Sequence, residues 1–237
     1  MKKISVCMAT YNGEKYIKEQ LGSILVQLGE NDEVIVSDDN STDDTLRVVD
    51  TFKDSRVKVF LNTKEQGYTR NFENALEKST GDIIFLADQD DVWVENKVRI
   101  SLKYLEKSDF VVSNCKIVDS NLHILHESHF KLRGVKNGFL HNLLLTRYIG
   151  ACTAFKREVL LKSLPFPENA KLSAHDYWIC LVAELYFNVT LIDEPLVLYR
   201  RHDNNASSGG YKSENSLLHK IKVRVYTLYN LLKVYNK

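Results

Sequence analysis

The chain has 237 residues, of which 44% are hydrophobic and 27% are charged, an ordinary balance for a folded globular protein. Its 32 Lys and Arg nearly balance 31 Asp and Glu, and the net charge of +1 argues against a nucleic-acid coat protein or an acidic tail protein. Only three prolines and ten glycines argue against a disordered or collagen-like chain.

The first half of the chain alternates predicted strands with predicted helices. The strands are apolar, β-rich runs, and the helices have apolar residues at helical spacing. In chain order the strands are predicted at 3–9, 33–37, 57–61, 82–87 and 110–113, and the helices at 14–28, from near Ser41, at 68–78 and at 95–106. The short links predict right-handed βαβ units, and therefore an α/β fold with a Rossmann-like, mostly parallel sheet and helices on both faces.

Beyond about residue 115 this alternation ends. Helices are predicted at 138–146, 157–162 and 175–186, short strands at 151–155, 189–192 and 196–200, a polar loop or hairpin at 120–135, and a flexible loop at 203–210. Because no linker interrupts the chain, we predict one domain over residues 1–211, with its first part at 1–115 and its second at 116–211.

Residues 212–237 form a basic tail with six Lys or Arg and one acid, a net charge of +5 that leaves −4 on residues 1–211. Within the tail, apolar residues recur at near-helical spacing and predict a basic amphipathic C-terminal helix. Such a helix lies on an anionic membrane surface, on the body of the protein, or on a second subunit in a homodimer. The sequence alone does not choose among these three partners.

The N-terminal segment begins like a signal peptide, but polar residues from Tyr11 to Lys18 end its apolar run. No stretch approaches the ~20 apolar residues that span a bilayer. We therefore predict a cytoplasmic protein, peripheral on the inner face of the plasma membrane if the tail binds lipid. The four cysteines are far apart in sequence and are predicted to be reduced and buried.

Polar clusters follow three of the predicted strands. They are Thr10-Tyr11-Asn12, Asp38-Asp39-Asn40 and Asp88-Gln89-Asp90-Asp91. Ligands of open α/β sheets bind beyond the carboxyl ends of the strands. Topology alone therefore predicts a binding site where these clusters converge.

Asp88 and Asp90 flank one residue at the end of an apolar strand. Two such carboxylates suit a hard cation, Mg²⁺ or Mn²⁺, although an isolated Asp-x-Asp is more often a solvated turn or a helix cap. The sequence contains no glycine-rich dinucleotide or Walker-type loop. We therefore expect a metal to hold the phosphates of a nucleotide whose diphosphate is the leaving group.

Several segments together resemble glycosyltransferase family 2. They are Ser5–Tyr16, Asp38–Asp43, Gly67–Asn71, Ala87–Trp93, His175–Trp178 and Tyr199–His202, in an order and spacing that extend over about residues 3–205. The resemblance implies a GT-A fold, a nucleotide-sugar donor, a divalent metal and an inverting mechanism, as in bacterial transferases that build surface polysaccharide. Residues 1–115 would then bind the nucleotide sugar, and residues 116–211 would bind the acceptor.

The resemblance also implies roles for individual residues. Asp176 would be the catalytic base, although an acid in the first turn of a helix is also favoured by the helix dipole. Asp39 would accept the N3–H of uracil or thymine, and the motif reads His175-Asp176 where the family more commonly has Glu-Asp. The nucleotide-sugar site would comprise Ala9, Thr10, Tyr11, Asp39, Arg70, Asp88 and Trp93, with packing an equal alternative for Trp93. The metal site would comprise Asp90 and His202.

These roles predict transfer of a hexose or deoxyhexose from a UDP- or dTDP-sugar to a saccharide acceptor, lipid-linked in this subgroup. The alternative is a nucleotide-sugar-binding protein or a nucleotidyltransferase on a similar sheet. A nucleotidyltransferase would need a glycine-rich basic loop where this chain has Tyr11-Asn12-Gly13-Glu14. A third hypothesis is a receiver-like domain built on Asp38-Asp39, but such a domain would end near residue 120 and leave the second half of the chain unexplained. His123, His126 and His129 suggest zinc, but a polar loop on the acceptor side is the favoured interpretation.

Overall fold

The computed structural model describes residues 2–145, 147–202 and 216–235. The strands within these ranges are β1 (Ile4–Thr10), β2 (Glu33–Asp38), β3 (Val57–Leu61), β4 (Ile83–Asp88), β5 (Val92–Trp93), β6 (Phe110–Val118), β7 (Ile124–His126), β8 (Thr153–Lys156) and β9 (Val189–Arg200). The helices are α1 (Ile17–Leu25), α2 (Thr45–Asp50), α3 (Tyr68–Lys78), α4 (Lys97–Leu105), α5 (His129–Arg133), α6 (Phe139–Leu145), α7 (Arg157–Ser163), α8 (His175–Tyr186) and α9 (Leu217–Tyr235), with a 3₁₀ turn at Gly150–Cys152.

These strands form one mixed sheet in the order β3-β2-β1-β4-β8-β6-β9-β5, with β7 paired to β6. Strands β1 to β4 pair in parallel, and β8 is antiparallel to both β4 and β6. Strand β6 therefore runs in the same direction as β4, and β9 is parallel to β6. The predicted mostly parallel α/β sheet is confirmed, and the carboxyl ends of β1, β2, β4, β6 and β9 lie at one edge.

The central strands are buried because they are nearly continuous apolar runs, as expected for strands covered on both faces. All of Ile83–Ala87 in β4 is buried, and β2 is buried along its whole length. Helix α1 turns Ile17, Leu21 and Ile24 into the same core. The four cysteines are free and buried, as predicted.

Long-range pairing accounts for the main differences from the predicted elements. The predicted strands 189–192 and 196–200 are one strand, β9, whose pairing with β6 jumps from Ser113–Ile192 to Asn114–Pro195. Pro195 has no N–H for the ladder, and an irregularity in pairing is where a strand accommodates proline. Strand β6 also extends through position 115, so no structural break accompanies the proposed division at 115/116.

Helix α2 begins at Thr45, whereas the sequence predicted a start near Ser41. The reason is that the Ser41 backbone N–H donates to Asp38 Oδ1 at 2.8 Å, which holds Ser41 in the loop after β2. The Thr45 backbone N–H instead donates to Asp43 Oδ1 at 3.0 Å. The segment between them is therefore a loop at the edge of the sheet.

Helix α9 packs on the body through Thr227, Leu231 and Val234, which are buried. The Asn169 backbone N–H donates to the Tyr226 hydroxyl at 2.9 Å. Over the ranges that the structure describes, no helix has the length and apolar character to cross a membrane. The loop predicted at 203–210 lies outside the described residues, as does the boundary at 211/212.

Candidate active site

The sheet register brings the three polar clusters together. Thr10 at the end of β1 pairs with Asp38 of β2, and the adjacent Ala9 pairs with Asp88 of β4. His202 follows the end of β9 at the same edge. The three clusters therefore lie together at one edge, and His202 joins them from a strand far along the chain.

Asp38 and Asp39 differ in what their carboxylates bind. Asp38 is a structural acid, because its Oδ2 accepts the Thr10 hydroxyl at 2.9 Å and the Ser41 hydroxyl at 2.6 Å. Asp39 is held by donors that the sequence analysis missed, Asn62 Nδ2 at 2.7 Å and the Gly67 backbone N–H at 2.8 Å. Each carboxylate oxygen has a further lone pair, so Asp39 is oriented and can still accept from a ligand.

Gln89, the middle residue of the Asp-Gln-Asp motif, anchors Tyr11. Its amide nitrogen donates to the Tyr11 carbonyl at 2.9 Å, and its amide oxygen accepts the Tyr11 N–H at 2.9 Å. Tyr11 itself is exposed. A Cβ added to Gly13 would lie 2.2 Å from the Gln89 amide oxygen. Glycine at position 13 therefore leaves room for the amide that fixes the Tyr11 backbone.

We expect Gly13→Ala to lower the free energy of unfolding by about 1 kcal/mol, because the displaced Gln89 amide loses two exposed hydrogen bonds that water partly replaces. The matched control is Gly22→Ala in α1, where the new Cβ would meet only a Phe52 carbon at 4.0 Å. That control is expected to raise stability by about 0.5–1 kcal/mol, since alanine favours helix. Urea denaturation of both variants measures the difference, and equal shifts would contradict the role given to Gln89.

Three carboxyl groups converge at the end of β4. The pKa of Asp88 is raised to about 8, first by burial and then by the charges of Asp90 and Asp176. Asp90 Oδ2 lies 2.8 Å from His202 Nε2. Asp90 is thus paired with His202, and Asp88 lies near enough to Asp90 and Asp176 to feel the charges of both.

The residues at this point suit a divalent cation. A carboxyl whose pKa is raised by neighbouring acids, as that of Asp88 is, is stabilised in its ionised form by a nearby cation. Among the residues that the structure describes, no group of three or more potential ligands is arranged around a metal position. Mg²⁺ and Mn²⁺ that act on nucleotides often take only one or two protein carboxylates and complete their shell with water and phosphate oxygens. Asp90 and His202, with Asp88 beside them, fit such a site.

We expect the contribution of Asp88 to the stability of the metal-free protein to fall as pH rises from about 4 to 8. The folded chain keeps a proton on Asp88, whose pKa is about 8, whereas the unfolded chain releases it near the ordinary value of 3.8. The stabilising contribution is therefore fully present below the unfolded pKa and is lost as pH approaches the folded pKa.

The contribution of Asp88 to the slope of unfolding free energy against pH is expected to reach at most about 1.4 kcal/mol per pH unit, the value for one proton. Urea denaturation in EDTA at several pH values measures this slope. Asp88→Asn should flatten it. The difference between the wild-type and Asp88→Asn slopes isolates this contribution, because Asp91, His129 and His175, whose pKa values are also shifted, are present in both proteins. A slope that is unchanged in Asp88→Asn would contradict the assigned pKa.

Arg200 fixes the backbone that presents Asp90. Its Nε donates to the Asp90 carbonyl at 2.7 Å, and its backbone N–H donates to Asp91 Oδ1 at 2.9 Å. The guanidinium also pairs with Glu19 and lies 4.6 Å from the centre of the Tyr16 ring. The His202 ring also stacks on Tyr16, at a centroid distance of 4.8 Å. The sequence analysis quoted Arg200 within a motif but assigned it no role.

Asp176 lies in the first turn of α8, and a glycine makes room for it. A Cβ added to Gly150 would lie 3.1 Å from the Asp176 Cβ. The preceding residue, His175, is buried and stacks on Phe72 at 4.0 Å between ring centres. Burial lowers the pKa of His175. The His175-Asp176 pair therefore combines a neutral, packed imidazole with a carboxylate that faces the β4 cluster.

Other predicted site residues lie away from that cluster. Arg70 donates to Glu73 Oε2 at 2.7 Å and to the Pro167 carbonyl at 2.9 Å, so it joins α3 to the segment before α8. Thr10 is buried, and its hydroxyl is used by Asp38. Trp93 is 3% exposed and packs 5.4 Å from the Phe85 ring, so the packing alternative describes this side chain.

The three spaced histidines are separated by the fold. His123 is exposed and bound to Asp119 at 3.0 Å, whereas His129 is buried and lies 2.8 Å from the Arg147 carbonyl. His126 lies exposed on β7. A shared zinc ion would need the three imidazoles to face one point. The favoured alternative is a polar loop, and in the structure His123 and His126 lie on the exposed β6–β7 hairpin, whereas His129 begins helix α5.

Comparison with known proteins gives matches over most of the chain. A family model described as "Glycosyl transferase family 2" matches residues 5–164. The Escherichia coli protein named "UDP-Glc:alpha-D-GlcNAc-diphosphoundecaprenol beta-1,3-glucosyltransferase WfgD" is 29% identical over 213 residues, 88% of this chain and 81% of the relative. The Shigella flexneri "dTDP-rhamnosyl transferase RfbG" is 30% identical over 215 residues, 84% of this chain and 72% of the relative.

A solved structure also matches the fold. The crystal structure of S. aureus TarS residues 1–349 in complex with UDP-GlcNAc superposes with a TM-score of 0.73 at 23% sequence identity. The match covers 97% of this chain and 67% of the TarS chain. The predicted GT-A architecture is therefore confirmed at the level of the fold.

Proposed function

The chain belongs to glycosyl transferase family 2, and from that premise we propose that it transfers a hexose or deoxyhexose from a UDP- or dTDP-sugar to a saccharide acceptor. The relatives described above are bacterial glycosyltransferases, so a transferase of this class is the plain conclusion. The donor, the acceptor, the inverting course and the metal are proposals. The observation that supports them is the convergence of Asp39, Asp88, Asp90, Asp176 and His202 on one sheet edge.

The donor nucleotide is inferred from Asp39. Its carboxylate is fixed by two donors and retains lone pairs, which suits the N3–H of uracil or thymine. The E. coli relative is named for UDP-Glc, the S. flexneri relative for a dTDP-linked sugar, and TarS was solved with UDP-GlcNAc. These names support a pyrimidine nucleotide without choosing the sugar.

The proposed reaction is a single displacement. Asp176 accepts the proton of the acceptor hydroxyl, whose oxygen forms a bond to the anomeric carbon of the donor. The bond from that carbon to the diphosphate oxygen breaks with its electron pair, so the configuration inverts and no enzyme nucleophile is needed. Asp90 and His202, beside Asp88, would hold Mn²⁺ or Mg²⁺. A bound metal would stabilise the charge of the departing diphosphate.

The acceptor is proposed to be lipid-linked and to be reached from the cytoplasmic side of the membrane. The lipid-linked acceptor is supported by the name of the E. coli relative, which specifies a diphosphoundecaprenol-linked acceptor. No nucleic-acid partner is proposed, because the net charge of the chain is only +1.

A donor screen tests the proposed function. The full chain is incubated with UDP- and dTDP-sugars, with Mn²⁺, with Mg²⁺ or with EDTA, and release of the nucleoside diphosphate is measured. We expect slow hydrolysis of one pyrimidine donor that requires the metal. Tight donor binding without hydrolysis or transfer would instead identify a nucleotide-sugar-binding protein, and binding confined to purine nucleotides would contradict the role of Asp39.

A further inference from the structure

Helix α9 turns an apolar face away from the body of the protein. The residues of this face are 41% to 75% exposed, and six of them are Leu217, Leu218, Ile221, Val225, Leu228 and Leu232. At about 100° per residue they fall within an arc of roughly 100°. The buried residues Thr227, Leu231 and Val234 lie on another arc, centred about 120° away. One side of the helix therefore meets the core, and the apolar face does not.

Basic residues border this apolar face on both sides. Lys222 and Lys233 are exposed along one border, and Arg224 lies along the other. Residues 216–235 contain four Lys or Arg and no Asp or Glu. An apolar strip between lysines is the pattern of a helix that lies in a membrane surface, where the long side chains reach the headgroups.

Helix α6 extends the apolar surface beyond the Arg224 border. The Arg224 guanidinium donates to the Leu144 carbonyl, so the last turn of α6 lies against that border. Leu140, Leu144 and Leu145 of α6 are all exposed. A surface built from two helices, called here the α6–α9 face, is larger than the scattered apolar residues of ordinary protein surfaces.

The α6–α9 face adjoins the acceptor half of the candidate site. The Tyr177 hydroxyl donates to the Leu143 carbonyl of α6 at 3.0 Å. Tyr177 directly follows Asp176, the proposed base. Helix α6, which carries part of this face, is therefore tied to the residue next to the proposed base.

We infer that the α6–α9 face docks on an anionic lipid surface. Charge decides between this occupant and a second copy of the chain, because two copies packed through α9 would bring two sets of four cations together without an acid on the helix. The inference deepens the proposed function and rests on it for its purpose, since a membrane-held enzyme meets a lipid-linked acceptor.

Vesicle flotation of the full chain tests the inference without donor or acceptor. Binding to phosphatidylcholine vesicles that contain phosphatidylglycerol is expected, and it should weaken with salt and with removal of the anionic lipid. Lys222→Gln/Lys233→Gln should weaken binding about 30-fold, the effect of two cations near an anionic surface. The matched control Lys103→Gln/Lys107→Gln removes two exposed cations of α4 and its C-terminal end and should leave binding unchanged.

A second pair of variants tests the apolar part of the face. Val225→Ser/Leu232→Ser should weaken binding at least about tenfold. The control Val26→Ser/Leu161→Ser changes two similarly exposed apolar residues, Val26 just after α1 and Leu161 on α7. This control should bind as the wild type does. All replaced side chains are exposed, so folding is expected to persist, and circular dichroism checks it.

Several outcomes would overturn the inference. They are wild-type protein that does not float with anionic vesicles, α9 variants that bind as the wild type does, and a wild-type dimer by light scattering that Val225→Ser/Leu232→Ser converts to monomer. Donor hydrolysis in vesicle-free buffer separates the two proposals. Flotation without hydrolysis of any donor would support the docking face and contradict the proposed function. Hydrolysis without flotation would support the proposed function and contradict the docking face.

Discussion

Asp176→Asn is expected to lower the turnover number about 1,000-fold and to leave donor affinity unchanged. The amide keeps the size of the side chain but cannot accept a proton, and a positioned general base contributes about 10²- to 10⁴-fold to such reactions. Asp176 lies near enough to Asp88 for its charge to raise the Asp88 pKa, which is consistent with the proposed role beside the donor. Turnover is measured by transfer to acceptor, and donor affinity by calorimetry with UDP and Mn²⁺.

Glu158→Gln is the matched control for this prediction. Glu158 also lies in the first turn of a helix, α7, and is exposed. Both substitutions remove one favourable interaction with a helix dipole, worth about 0.3–1 kcal/mol of stability. If Asp176 acts only as a helix-terminal acid, the two variants will lose similar stability and both will keep turnover. Lost UDP binding in Asp176→Asn with retained turnover would also contradict the base assignment.

Asp90→Ala is expected to weaken Mn²⁺-dependent UDP binding at least about 100-fold, because loss of a ligand costs at least as much as loss of its supporting partners. Asp90 Oδ2 and His202 Nε2 are 2.8 Å apart, so His202→Ala should act in the same direction. Titration of UDP binding against Mn²⁺, and again in EDTA, measures the effect. The residual binding in EDTA should be the same in wild type and variant.

Glu95→Ala is the control for Asp90→Ala. Glu95 is an exposed acid a few residues further along the same segment, and its loss changes the net charge equally. Unchanged metal dependence is expected for this control. Unchanged metal dependence in Asp90→Ala would remove Asp90 from the metal site, and a fall in UDP binding in EDTA would indicate direct contact with the nucleotide.

Some elements were predictable to the residue. Helices α3 and α8 have the predicted bounds, 68–78 and 175–186. Their boundaries depend on apolar periodicity along the helix and on the residues next to each end, which are local properties. The predicted start of α2 near Ser41 was wrong, because the Ser41 backbone N–H donates to the side chain of Asp38 and Ser41 therefore lies in a loop. Asp38 is itself oriented by Thr10 of β1, which is distant in sequence, so the loop residues alone did not indicate this contact.

The strand-end acids were also predictable as a group, but their separate tasks were not. Asp38 and Asp39 are neighbours in sequence, yet one bonds Thr10 and the other bonds Asn62. Which acid remains available to a ligand depends on β3 and the segment after it. Trp93 is a similar case, because its partner Phe85 lies on β4 and burial there leaves no ring face for a sugar.

The sequence by itself determined the parallel sheet, the edge where its strands end and the acids at that edge. The reason is that each apolar run and the polar residues after it are local features of one strand. Only the tertiary structure decided that Asp176 meets Asp88, that Arg200 supports Asp90, and that α9 turns apolar side chains outward. Each of these depends on packing between segments distant in sequence. Periodicity reports which side of an element is apolar, whereas the partner that covers that side is selected by the free energy of the whole fold.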